Sequence, residues 1–474
     1  MLKNSYKSPN SKEYLLIKDT IIFGIGYFSS KFVLFLLVPL YTNYLSADEY
    51  GVAELIITMS QLLIPLLSAN IFSSVLRFGL SKEYKQEDVL VNAFVFLFVS
   101  IVLCFFIRPL LNKFVSIAEW KDFLIIYSIA NIINSIEFNY LKVKDRNVSY
   151  AILNTFQTFL LALLSYILIV SFRWGVRGYL YANVIACCLI SVATFVLNRF
   201  YKCIITGKFD RILLEKMLVF SAPLILNDIS WWFIHSSDKI MIEQMVDTKS
   251  LGMYTLAGKI PSLMNAIIVV FSQAWGISSI KEFENSENVG DFYSRIFKYY
   301  FIIVGGVSIA LIGISKDFIN IYVGQNFRSS WRYMPILIAS ASFSAISAYC
   351  GSIYAALKKT KNSMLTTVFA GILNILLNFF LILKFNIWGA LIATYISYSV
   401  MAIIRLFDVK RLVGLNYVPI RFYLSFILIG FQAVIASCGY NSFMFGMIAL
   451  FLFILLNRAE FLSLTHMIIR RFSR

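Results

Sequence analysis

From about Thr20 to Asn457 the chain is a succession of apolar blocks, each roughly 18 to 25 residues long, separated by short polar segments. Each block is long enough to cross a bilayer as a helix, and none shows the ten-residue alternation of a membrane barrel. The pattern predicts an all-α polytopic membrane protein with about fourteen spans. They fall near 20–41, 51–76, 89–107, 123–141, 150–171, 177–197, 217–240, 251–273, 297–314, 334–356, 363–383, 387–404, 421–438 and 442–457.

One block breaks the apolar pattern. Ser221 to Met245 reads SAPLILNDISWWFIHSSDKIMIEQM and carries Asp228, His235 and Asp238. An ionisable group at membrane depth costs at least about 2.5 kcal/mol, so it needs a partner, water or a function. At about 100° per residue, Ser221, Asp228, Trp231, His235 and Asp238 share one helix face. Leu224, Ile225, Phe233 and Ile240 lie mostly elsewhere, which predicts a helix facing both lipid and a wet interior.

Composition agrees with the pattern: 59% of the 474 residues are hydrophobic and 14% are charged. The net charge of +17 would suit a nucleic-acid partner if it were clustered. It is instead scattered over many short loops, which excludes that class and fits the positive-inside rule. Loops assigned alternately from a cytoplasmic N-terminus put most Lys and Arg on one side. That places both termini of a multi-pass membrane protein in the cytoplasm. Lys3, Lys7, Lys12 and Lys18 precede the first apolar block without a small-residue cleavage site, so a retained first helix is expected. Cys104, Cys187, Cys188, Cys203, Cys350 and Cys438 lie mostly inside apolar blocks and read as small apolar residues, with no metal site and no cofactor implied.

The two halves resemble each other. LSADEYG (Leu45–Gly51) matches VDTKSLG (Val246–Gly252), and WGVRGYLYAN (Trp174–Asn183) matches the NIWGALIAT segment, pairing Gly178 with Gly389. Each half has two prolines in its first two helices, Pro39 and Pro65, then Pro223 and Pro261. With six helices per half, equivalent helices run the same way, which is a parallel repeat. The expected organisation is a six-helix lobe at 1–206, a second at 207–412, and a peripheral helix pair with a basic tail at 413–474. The loop from Asn198 to Lys216, with Arg199, Lys202, Lys208, Arg211 and Lys216, reads as the linker. Such repeats with interrupted helices suit a transporter, with its ligand site near the midplane of a central cavity.

PLYTNYLSADEYGVAEL (Pro39–Leu55) and FSAPLILNDISWWFIHSSDKIMIEQMVDTKSLGMYTLAGKIPSLMN (Phe220–Asn265) resemble the two signatures of Wzx-type polysaccharide flippases. These belong to a superfamily that also holds MATE-type multidrug exporters and lipid II flippases. The resemblance spans nearly the whole chain. It implies a substrate made of an oligosaccharide, an O-antigen or capsule repeat unit, joined by pyrophosphate to a polyprenyl lipid. It implies transfer from the cytoplasmic to the outer leaflet, coupled to an ion gradient. Membrane lipid, a polysaccharide polymerase and a chain-length regulator are the implied partners.

Carrying a sugar and a pyrophosphate through hydrocarbon calls for buried basic and polar groups. Lys31, near the centre of the first helix, is the first candidate for the phosphates; an ion pair with Glu54, Glu137 or Asp238 is its alternative. Arg77 could receive the headgroup or simply anchor the interface, and Lys259 is a further cation. Trp231 could stack on a sugar face, and Asn227 could bond its hydroxyls. Asp228, His235 and Asp238 could bind a coupling ion or relay a proton. Glu137 is a further coupling candidate, its alternative being an ion pair with the basic KVKDR loop (Lys142–Arg146).

Rival classes are a multidrug exporter of the same architecture and a membrane enzyme of polysaccharide assembly. Against an enzyme, no predicted loop reaches much beyond about 20 residues, a base for a catalytic domain being far larger. There is also no Asp-x-Asp metal–nucleotide pair and no Gly-rich Lys-Ser/Thr phosphate loop.

Overall fold

A computed structural model of the chain describes residues 29–112, 118–285, 289–414 and 420–463, and the regular elements in them are all helical. Each predicted span, as far as it falls within those residues, is mainly helical, with breaks inside the second at Ala69–Asn70 and inside the eighth at Gly258. Eight helices are individually long and apolar enough to cross a membrane among the described residues, and three shorter apolar helices add to them. The chain forms two compact units, Met1–Leu45 with Glu49–Ser236, and Ser46–Asp48 with Ser237–Arg474.

The first unit holds helical residues 29–36, then α1 (Val38–Tyr44), α2 (Ala47–Ser68), α3 (Ile71–Gly79), α4 (Gln86–Leu111), α5 (Lys121–Val143), α6 (Asn147–Ser165), α7 (Gly175–Leu197) and α8 (Phe200–Thr206). It takes α9 (Arg211–Met245) as far as Ser236. Helix α6 ends in a π-turn at Tyr166–Ser171. The outer faces are apolar, with Phe98, Phe105 and Val219 exposed. In water such a surface would drive association; in a bilayer it faces solvent of its own kind.

The second unit holds the rest of α9, then α10 (Thr248–Ala257), α11 (Lys259–Asn285), α12 (Val289–Tyr322), a 3₁₀ segment (Gln325–Arg332), α13 (Met334–Ala356), α14 (Thr360–Phe385), α15 (Ile387–Val413), α16 (Ile420–Ser437) and α17 (Ser442–Leu456). Helix α13 is its core. Ala345, Ile346, Tyr349, Cys350 and Tyr354 are all fully buried, and Trp275 of α11 stacks on Tyr349 with centroids 4.8 Å apart. Helices α16 and α17 pack on α12 and α13. Small residues permit the closest approach: a Cβ at Gly446 would lie 2.7 Å from the Gly313 Cα.

The repeated glycine has the same physical reason in both halves. Gly178 sits near the start of α7, where a Cβ would lie 3.0 Å from the Leu168 carbonyl oxygen of the preceding element. Gly389 sits near the start of α15, where a Cβ would collide with the Leu381 carbonyl of α14. Three residues before each glycine φ is positive, at Gly175 (54°) and Asn386 (51°). Each half therefore turns one helix tightly back on the next with a positive-φ residue followed by a side-chain-free contact.

Candidate functional site

The second predicted span is one apolar run in sequence but two helices in space. It breaks at Ala69 and Asn70, both left-handed at φ 45° and 56°. A left-handed conformation costs an L-residue with a Cβ roughly 1–2 kcal/mol, so the surroundings must hold it. Pro65 lies just upstream, inside α2. The Asn70 backbone N–H donates to Ser68 Oγ at 3.1 Å, and its Oδ1 accepts from Ser73 Oγ at 3.2 Å. Its side-chain amide then donates to Asp228 Oδ2 at 2.7 Å. The other Asp228 oxygen accepts from Asn227 Nδ2 at 3.3 Å.

Asp228 is thus the meeting point of α9 with a broken membrane helix. Two further bonds fasten the same helices: Ser74 Oγ to the Met217 carbonyl at 2.6 Å, and Trp232 Nε1 to the Thr58 carbonyl at 2.8 Å. Asn70 is buried while Asp228 is half-buried and Asn227 exposed. Sequence reasoning singled out Asp228 but missed Asn70. The signal was a polar Ser-x-Asn (Ser68–Asn70) in an apolar run shortly after a proline.

The remaining candidates spread over both units. In the first, Lys31 is half-buried on helical residues 29–36, Arg77 is exposed near the end of α3, and His235 is exposed on α9. The Trp231 backbone is helical, and its side chain lies outside the described residues. Its neighbour Trp232 is buried, its indole committed to the backbone bond above. The predicted polar face of α9 is therefore mixed, with Ser221 fully buried at one end and His235 exposed nearer the other. In the second unit, Asp238 accepts a bond from the Tyr254 hydroxyl and one from its neighbour's N–H, Lys239 N, at 2.9 Å. Lys259 is half-buried at the start of α11.

Glu137 does not take the predicted partners. Lys144 pairs with Glu87 at 2.8 Å, Arg146 donates to Asn198 at 2.9 Å, and the Lys142 ammonium sits 4.5 Å from the Tyr150 ring centre. The loop's charges are engaged elsewhere because it turns outward from α5, whereas Glu137 points in and is 1% exposed. Glu54 is also buried, accepting from the Tyr179 hydroxyl at 3.3 Å beside the edge-to-face rings of Tyr41 and Tyr179. Among the described residues, no group of three or more His, Cys, Asp or Glu is placed to hold a metal ion.

The helical fold, the apolar exterior and the embedded polar groups define a multi-pass membrane protein of transporter architecture. A profile described as "Polysaccharide biosynthesis protein" matches residues 42–332, and the chain belongs to that family. No curated protein matches it by sequence. Among solved structures, it is similar to lipid II flippase MurJ in an inward closed conformation, at 17% identity and TM-score 0.69, covering 96% of this chain and 100% of that one. It is similar to an inward-facing multidrug resistance MATE family transporter of the MOP superfamily, at 15% identity and TM-score 0.64, covering 83% and 95%. A MOP superfamily transporter from Pyrococcus furiosus aligns at 14% identity and TM-score 0.58, covering 85% and 97%. The family and the fold agree with the resemblance read from the two signatures.

Proposed function

We propose that the protein is a flippase for a polyprenyl-pyrophosphate-linked oligosaccharide, an O-antigen or capsule repeat unit. It moves that unit from the cytoplasmic to the outer leaflet of a bacterial inner membrane by alternating access, driven by an ion gradient. The observation that carries the reading is a half-buried lysine, Lys31, embedded in the first helix of a polysaccharide-biosynthesis family member. A basic group at membrane depth can lend its charge to an anionic substrate, and the pyrophosphate is the anion such a substrate brings. Lys31 attracts the phosphates, Arg77 receives the headgroup, Lys259 is a further cation, and Asn227 and Trp231 contact the sugars. Asp228, His235, Asp238 and Glu137 are the coupling candidates. Asp228 has the strongest support of the first three, because a change in its charge would act directly on the Asn70 break. The lobes of the reading are residues 1–206 and 207–412, with 413–474 beside them and both termini in the cytoplasm. A polymerase and a chain-length regulator receive the product.

The test is complementation of a flippase-deficient strain with a panel of known repeat units. Wild type should restore surface polysaccharide for at least one unit. Lys31→Ala should abolish it, trap lipid-linked units inside, and leave the protein inserted at normal level. Normal polymer from Lys31→Ala at normal protein level would remove the lysine's role. A multidrug exporter of the same fold would instead confer drug resistance and complement no unit.

A further inference from the structure

Among the buried charges of the molecule, Glu137 stands out by what surrounds it. It lies on α5 against α7, in a small cluster of polar side chains. Asn134, one turn before it, donates to Gln157 Oε1 of α6 at 3.4 Å and to the Cys187 thiol of α7 at 3.7 Å. The Ser191 hydroxyl lies beside the Glu137 carboxyl. Three buried oxygens from these two helices, Glu137 Oε2, Ser191 Oγ and Thr194 Oγ1, have no hydrogen-bond partner among the described residues.

Other buried hydroxyls, such as those of Ser237, Ser347 and Thr394, are unpartnered among the described residues too, so what singles out Ser191 and Thr194 is their place on one helix face beside a buried carboxyl. Ser100, Ser128, Ser308, Ser340 and Ser397 each return their hydroxyl to the carbonyl one turn back. An unmet buried polar group costs about 1–3 kcal/mol, and three on facing helices around one carboxyl are groups that a second protonation state could satisfy. Cys187, Ser191, Thr194 and Asn198 follow at i, i+4, i+7 and i+11, one polar stripe down an apolar helix. The stripe leads from the pocket to Asn198, where the exposed Arg146 guanidinium donates at the end of α7.

We infer that Glu137 is a proton-carrying carboxyl of the transport cycle, protonated in the conformation seen and discharged along the Ser191–Thr194–Asn198 stripe. In discharge the carboxyl O–H bond breaks, the proton passes to water at the Asn198 end, and the carboxylate accepts bonds from the Ser191 and Thr194 hydroxyls. The idle donors are the partners of that ionised state. No cation faces the carboxyl among the described residues. Of the helices packed on α5, α3 offers Arg77, which is exposed, and α4 offers Glu87, which holds Lys144. Helix α6 offers Tyr150, beneath the Lys142 ammonium, and α7 offers the Cys187 thiol. A metal ion fits the pocket less well, because a hard cation takes about six or more oxygens and here a thiol and an amide N–H occupy part of the wall. The inference rests on the transporter reading for its role in the cycle, and on the pocket alone for the proton.

The two parts separate in one set of variants of the full-length protein. Infrared difference spectra across a pH change, in lipid nanodiscs, should show a protonated-carboxyl band that Glu137→Gln removes. Ser191→Ala with Thr194→Val should shift that band's titration to higher pH, since the ionised form loses its donors. In cells, Glu137→Gln should lower surface polysaccharide at least tenfold at normal protein level, and Glu137→Asp should restore part of it. Identical spectra for wild type and Glu137→Gln would overturn the proton site, as would a band that responds to sodium and not to pH. A lost band with undiminished polysaccharide would overturn the coupling role and leave the flippase reading standing. Failure of wild type to complement any unit would overturn the role in flipping, while the spectra would still decide the proton site.

Discussion

Glu137 in the first unit and Arg405 in the second are both ionisable side chains sealed inside membrane helices, at 1% and 6% exposure. They are resolved in opposite ways. Arg405 Nε donates to Thr366 Oγ1 at 2.9 Å, and Nη1 donates to the Ser347 carbonyl at 2.9 Å. Nη2 serves both the Ser363 carbonyl, at 3.1 Å, and Thr367 Oγ1, at 2.7 Å. One guanidinium thereby ties α15 to α13 and α14 through uncharged acceptors. Asp408, one turn on, is itself held by Tyr354 at 2.9 Å and Asn362 at 2.8 Å. Glu137 instead has a carboxyl oxygen unpartnered among the described residues, with the unpartnered hydroxyls of Ser191 and Thr194 on the facing helix. A buried charge whose bonds are made is a fastener, and one whose neighbours wait is a candidate for changing state.

The comparison breaks most visibly at Arg405. Arg405→Leu leaves two backbone carbonyls and two hydroxyls without their donor, a loss on the order of 3 kcal/mol or more. Purified protein should unfold at a clearly lower temperature and expression should fall. Arg405→Lys should recover little of this, because a single ammonium cannot span three helices as a planar fork does. Glu137→Gln, by contrast, should leave the unfolding midpoint unchanged or raised while transport is lost. Equal thermal losses at the two positions would erase the distinction between fastener and switch.

A smaller effect should separate backbone from side chain at the α2–α3 break. Asn70→Ala removes the Asp228 bond and puts alanine in a left-handed conformation. Asn70→Gly removes the same bond but relieves the backbone. The glycine variant should be the more stable by about 1 kcal/mol, the cost of a left-handed residue with a Cβ. Transport assays on the same pair isolate the Asn70–Asp228 bond, since both variants lack it. Full activity in the glycine variant would show that the break alone matters and that the bond to Asp228 does not.

Much of the fold was legible because a bilayer demands long apolar runs whatever the tertiary packing. The Gly178–Gly389 pairing was legible too, since only glycine tolerates the carbonyl it meets in each half. The breaks were harder to see. Apolar blocks hide them, because backbone direction at Asn70 and Gly258 depends on neighbours that periodicity does not encode. Arg405 falls just past the twelfth predicted span, 387–404, and only its four bonds show it to be internal. For Glu137 the sequence offered proximity to a basic loop. The choice between that loop and the interior turns on which face of α5 meets α7, a matter of packing.

The smallest effect belongs to a charge pair that water can reach. Arg108 Nε meets Asp122 Oδ1 at 2.8 Å with both side chains more than half exposed, at 53% and 57%. The hydrogen bond from Arg108 holds the Asp122 carboxyl below its ordinary range. A depressed carboxyl stabilises the fold above its unfolded pKa and loses that contribution as pH falls through the lower folded value. The window therefore lies in acid, below about pH 4, where an ordinary Asp begins to protonate. Solvent screens the pair and can replace either partner, so Asp122→Asn should leave the unfolding midpoint at pH 7 where it was. The wild type and the variant should converge fully at acid pH and in high salt. A large loss at neutral pH would mean that exposure does not separate fasteners from bystanders here, and that accessible pairs belong with Arg405.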